Sequence, residues 1–225
     1  RWWMNDPEPM LSHVFVLGLN ADETEYEVIG KVGDIAPDES IWSARFIGDK
    51  AYIVTFRNID PLWTVDLSEP TNPRIIGELK IPGVSTYIHP VGDTHLLTIG
   101  IAGDDEGLDW GVTQISFFDV SDFSNPILES ELKLNPAPNG ENGWSYSHSE
   151  ATYEHKAFQY WESDGLLSIP MSTSRWFENS ITEGGKEYNY YGYEYVSKLM
   201  LINATPEQPL EIYNDNIDHS SYYGS

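Results

Sequence analysis

The 225-residue sequence contains no cysteine. That excludes disulfides, thiolate metal sites and cysteine nucleophiles, while leaving the compartment open. Cations are scarce: 12 Lys and Arg stand against 36 Asp and Glu, a formal net charge of −24. Such a surface repels phosphate backbones and anionic membranes, so no nucleic-acid partner is expected; it suits cations or a basic partner. No apolar run approaches the ~18 residues of a membrane-spanning helix. The chain also lacks a Gly-x-Ser-x-Gly elbow, a His-Glu-x-x-His pair, a phosphate-binding glycine loop and a dinucleotide fingerprint. Carboxylates are too numerous for one pair to stand out as a glycosidase acid and base. The chain opens Arg1-Trp2-Trp3, without an initiating Met or a signal peptide, which reads as a processed product or a piece of something longer.

What the sequence does contain is short apolar stretches, β-branched or aromatic, bounded by Gly, Pro, Asn or Asp. That is the strand signature, and no amphipathic helix interrupts it. Two stretches repeat one phrase: VDLSEPTNP (residues 65–73) and FDVSDFSNP (residues 118–126). Strands and Pro/Asn turns recurring about every 40–50 residues indicate an all-β fold, a β-propeller of four-stranded antiparallel blades. Within the phrase, Asp and Ser side chains accept backbone N–H bonds and close turns, and Pro ends strand pairing. The plan gives a partial blade at 13–36, blades at 41–83, 84–135 and 145–218, and the start of another at 220–225. About three and a half blades are therefore expected. The third outer turn, at residues 203–209, is a degenerate copy. Insertions at 102–111 and 172–196 are expected to lengthen loops, where function is commonly placed.

The segment ARFIGDKAYIVTFRNIDPLWTVDLSEPTNPRIIGELKIPG (residues 44–83) resembles the secreted β-propeller-domain proteins of archaea and bacteria, which are distantly similar to WD40 propellers. THLLTIG (94–100), ISFFDVSDFSNP (115–126) and SEATYEHKAF (149–158) fit the same family, and the phrase is shared with LVIVD-type repeats. The resemblance covers about residues 13–225. It implies an exported, cell-surface or periplasmic propeller and supplies no activity. The Tyr-rich insertion departs from the family pattern.

Several side chains are candidates for chemistry. On an extended strand His148, Glu150 and Glu154 would share a face, with His155 opposite; His148 and Glu150 would then chelate a divalent cation. The competing reading makes Glu154, His155 and Lys156 a structural polar network. Asp104, Asp105 and Asp109 offer oxygens to Ca²⁺, although EF-hand spacing is not met and a solvated acidic loop explains them as well. Arg45, on an innermost strand, and Arg57, beside Asp60, are candidates for an anion or for structural pairing. Trp176, Tyr188, Tyr190, Tyr191 and Tyr193 crowd the long insertion, either as a sugar- or protein-binding surface or as a hairpin turning at Gly184-Gly185. The leading expectation is a non-catalytic exported scaffold, steadied by Ca²⁺, whose partner is a protein, a glycan or further copies of the chain. The alternatives are a metal-dependent extracellular enzyme at the propeller channel, built on His148, Glu150 and His155, and a structural surface or filament protein assembling through open strand edges.

Overall fold

The computed structural model describes residues 9–56, 60–104, 107–135 and 144–219, leaving aside the side chains of residues 60, 104, 177 and 179. Strands β1 (Ser12–Leu19) and β2 (Tyr26–Ile35) form a hairpin. Strands β3 (Ser40–Ile47), β4 (Lys50–Phe56), β5 (Asp60–Asp66) and β6 (Arg74–Ile81) form an antiparallel sheet in chain order. Strands β7 (Val84–Val91), β8 (His95–Asp104), β9 (Gly107–Asp119) and β10 (Ile127–Leu134) repeat it. The third sheet contains β11 (Trp144–His148), β12 (Gln159–Trp161), β13 (Leu166–Glu183), β14 (Lys186–Asn203) and β15 (Glu211–Asp218). This is the all-β, four-stranded antiparallel blade architecture expected from the repeat.

The first two four-stranded sheets are buried from both sides, because consecutive residues on their inner strands point into different cores. In β4, Ala51 and Ile53 pack toward Val14 and Ile35 of the hairpin, while Tyr52 and Val54 pack toward Ile88, Leu96 and Phe118. In β8, Leu97 and Ile99 face Leu167, Ile169 and Ile202 of the third sheet. Such two-sided burial makes β4 read as a continuous apolar run. Burial pushes the Tyr52 phenol up to about 12, and its ring meets Phe123 edge-on at 5.4 Å.

The repeated phrase does more than turn the chain. Asp66 accepts from the Ser68 amide at 2.9 Å and Asp119 from the Ser121 amide at 2.7 Å, as turn chemistry requires. The same loops then pack on the outer strands of the sheet before. Thr64 Oγ1 donates to the Phe123 carbonyl at 2.7 Å. A Cβ on Gly77 would come within 2.8 Å of the Ser124 carbonyl oxygen, and one on Gly30 within 2.0 Å of the Pro70 carbonyl oxygen. In the third sheet the equivalent contact is a hydrogen bond, Leu210 N–H to Ser130 Oγ at 3.3 Å.

Two expectations change. The insertions are strands rather than loops. Pairing between β8 and β9 continues through Asp104↔Gly107, and that between β13 and β14 through Glu183↔Lys186. Tyr-rich, β-prone sequence simply carries the ladder outward. The extended strand on which His148, Glu150 and Glu154 would share a face is also interrupted. Residues Glu150–Thr152 and His155–Ala157 form 3-10 turns, leaving only Gln159–Trp161 extended. Ser149 and Glu154 cause this by accepting the Ala151 and Lys156 amides at the turn starts.

Candidate functional site

The insertion at residues 172–196 builds a long twisted ribbon, because β13 and β14 pair without a break from Leu166↔Asn203 to the Gly184-Gly185 turn. Both turn glycines have positive φ, 59° and 77°, as a two-residue hairpin turn demands. Alternation then sorts the side chains. Trp176 sits opposite Tyr193, Glu178 opposite Tyr191 and Ser174 opposite Tyr195. Strand β11 adds Trp144 beside Trp176 and Tyr146 beside Ser174. All of these share one face.

The result is an aromatic ladder across three strands. Trp176 stacks on Tyr191 with centroids 6.0 Å apart and planes at 18°, and Trp144 meets Tyr193 at 6.2 Å. Tyr195 Oη reaches Ser172 Oγ at 3.2 Å. His148, opposite Ser172, closes the lower end of this face and stacks on Tyr153 at 5.6 Å. The aromatic members Trp144, Tyr146, Tyr191, Tyr193 and Tyr195 are exposed. The Glu178 carboxylate beside Tyr191 raises that phenol's pKa above its usual range, keeping the hydroxyl protonated.

The remaining candidates are distributed elsewhere. Tyr188 and Tyr190 lie on the opposite face of the ribbon, paired with Ile181 and Asn179. Arg175 and Glu194 form an ion pair on that second face. Glu150 lies in a 3-10 turn and His155 in the next, so strand alternation no longer sets which way they point. His155 Nδ1 lies 3.8 Å from Glu154 and its ring stacks on Tyr87; Lys156 is exposed. Arg45 on β3 faces the second sheet, where its charge, after burial, helps hold the His89 pKa below its usual range. Asp109 accepts the Gly111 amide at 3.0 Å. Asp104 ends β8; Asp105 and Arg57 lie outside the described residues.

Two features are missing from the sequence reading. Trp144 and Tyr146 lie some thirty residues before the insertion they join, and only strand register brings them together. Among the described residues, one set of three metal-ligating side chains has its ligand atoms within 4.8 Å of one another: His95, Asp119 and Glu129. Asp119 is recognisable as turn chemistry. The Ser121 hydrogen bonds, and secondarily His95, hold its carboxyl below the usual range.

Packed four-stranded blades, each locked to the last by a repeated loop, define the class: the chain is a β-propeller. It belongs to the family described as "Beta propeller domain", which matches residues 3–225. It is 43% identical over 128 residues to an uncharacterised protein of Methanocaldococcus jannaschii, covering 57% of this chain and 19% of that protein. An uncharacterised protein of Archaeoglobus fulgidus is 36% identical over 148 residues, covering 66% of this chain and 21% of that relative. The matches thus span about a fifth of each relative's length. Among the described residues, no helix is long and apolar enough to cross a membrane.

Proposed function

We propose that this propeller is a non-catalytic binding scaffold of an exported protein, and that the aromatic ladder on β11, β13 and β14 is its contact surface. The observation that carries this reading is the alignment of the exposed Trp144, Tyr191 and Tyr193 with the half-buried Trp176 on one face of a continuous ribbon. Tyr and Trp supply large contact area at little cost in side-chain entropy, which suits them to anchoring a partner. Glu178 and Glu187 share the face with them, and the whole chain carries a net charge of −24. Exposed rings bordered by carboxylates favour cationic side chains, through ring-face attraction and ion pairing. The partner is therefore a protein segment presenting Lys or Arg.

A titration of an Arg/Lys-rich peptide, followed by Trp fluorescence, tests this. Binding is expected to weaken at high ionic strength. It is expected to fall by about tenfold or more in the double variant Trp176→Ala/Tyr191→Ala, the loss characteristic of an interface anchor. Unchanged affinity in that variant, or saturation of the same face by a neutral oligosaccharide in place of the peptide, overturns the reading.

A further inference from the structure

We propose that His95, Asp119 and Glu129 form a binding site for one divalent transition cation, of the Zn²⁺ or Mn²⁺ type, at one end of the second sheet. The site is separate from the aromatic ladder and does not depend on it.

The first sheet provides an internal control. Register aligns Lys50, Asp66 and Arg74 in that sheet with His95, Asp119 and Ile127 in the second. In the first sheet the turn carboxylate is neutralised within the sheet, Arg74 Nη2 lying 3.0 Å from Asp66 Oδ2. In the second, the arginine position is apolar and the lysine position is His95. Both outer strands also skip a residue in their ladder, Ile76 in β6 and Glu129 in β10. A bulge of this kind re-aims one side chain. In the first sheet it aims an isoleucine, and in the second it adds a second carboxylate where a compensating cation has been lost. Among the described residues, neither Asp119 nor Glu129 forms an ion pair with Lys or Arg.

The donor atoms are set for a ligand role. His95 Nδ1 lies 2.9 Å from Thr94 Oγ1, and the ring stacks on Phe117 at 5.4 Å, which fixes its orientation. An imidazole held through one nitrogen presents the other, and Nε2 points at Glu129 Oε2, 3.5 Å away. Asp119 uses Oδ1 for the Ser121 amide, leaving its second oxygen. Asp119 and Glu129 bring two carboxylates to one imidazole, and their two negative charges match a divalent ion. One nitrogen and two oxygens suit Zn²⁺ or Mn²⁺ better than Ca²⁺, which prefers oxygen alone. The approach is electrostatically open as well. His95 lines a groove of about 570 Å³ between the second and third sheets, shared with Glu162, Asp164 and Glu207 and lined by no Lys or Arg. Such a groove concentrates cations beside His95.

Isothermal titration calorimetry of chelator-treated protein with Zn²⁺, Mn²⁺ and Ca²⁺ in turn decides the matter. The expected result is one equivalent of Zn²⁺ or Mn²⁺, with affinity reduced about tenfold or more in His95→Gln and in Glu129→Gln. Asp66→Asn, at the matching position of the first sheet, is expected to bind as the parent does. The metal should raise Tm in the parent and not in Glu129→Gln, whose part-exposed side chain makes a folding defect a poor explanation. Absence of saturable one-to-one binding, unchanged affinity in His95→Gln, or binding of Ca²⁺ that ignores both substitutions overturns the proposal.

Discussion

At the scale of single residues, acid and neutral pH act on different parts of the molecule. Asp66, Asp119 and Asp122 are each stabilised by the side chain and then the amide of the serine two residues on, which lowers their pKa values in the folded state. Their stabilising contribution is present above the usual carboxylate range and is lost as pH falls through it toward the lowered folded values. His89 responds at a higher pH. It is packed among Phe158, Tyr160 and Tyr87. Burial first, then Arg45, lowers its pKa below the ordinary 6.5, against an opposing pull from Glu162. The unfolded chain therefore takes up a proton below about pH 6.5 that the folded chain resists, so stability from this position is full above that value and declines beneath it. Denaturant midpoints measured at about pH 8 and about pH 5 should differ less in His89→Gln than in the parent. An identical difference in both would show that another group sets the decline.

At the scale of elements, the repeated phrase is a latch as well as a turn. Its loop rests on Gly30 in β2 and on Gly77 in β6, where a methyl group would collide with backbone carbonyl oxygens. Neither glycine has a positive φ, so close approach alone explains them. Gly77→Ala is expected to destabilise the fold by about 1–3 kcal/mol, the usual cost of overpacking. Gly48→Ala, where a Cβ meets nothing within 4 Å but φ is +58°, should cost about 1 kcal/mol through the backbone. Equilibrium unfolding separates the mechanisms: Asn, which tolerates the left-handed region, should cost less than Ala at Gly48 and more than Ala at Gly77, where any larger side chain meets the same backbone oxygens. The phrase and the blade plan were legible because Asp-Ser turns and Asn-Pro stops leave a local imprint. The latch was not, since its partner glycines lie in the preceding blade. The aromatic ladder was half legible: alternation within residues 188–195 hints at a strand, but Trp144 and Tyr146 join it only through register with β13. Glu129 was hidden more deeply. A bulge shifts every later side chain by one place, and nothing in ILESELKL marks where it falls.

At the scale of the whole molecule, two further kinds of surface among the described residues differ in what they invite. The outermost strands β6, β10 and β15 carry charged side chains along their edges, including Arg74, Glu78 and Lys80 on the first and Glu131 and Lys133 on the second. Charges of this kind discourage strand-to-strand addition, which argues against filament growth through edges. The outer face of the β1–β2 hairpin is different. Phe15, Leu17, Leu19, Tyr26 and Val28 all point away from the core, and Tyr26 is 73% exposed. A contiguous apolar face of this sort is normally covered. In this chain taken alone, face-to-face self-association is therefore expected, strengthening with protein concentration and persisting at high salt, because apolar contact is not screened as charge is. Leu17→Lys/Leu19→Lys should shift sedimentation-velocity profiles toward monomer, whereas Glu131→Gln on the β10 edge should leave them unchanged. Monomer at every concentration in the parent, or association abolished by salt, would show that charge rather than the hairpin face governs how these propeller units meet.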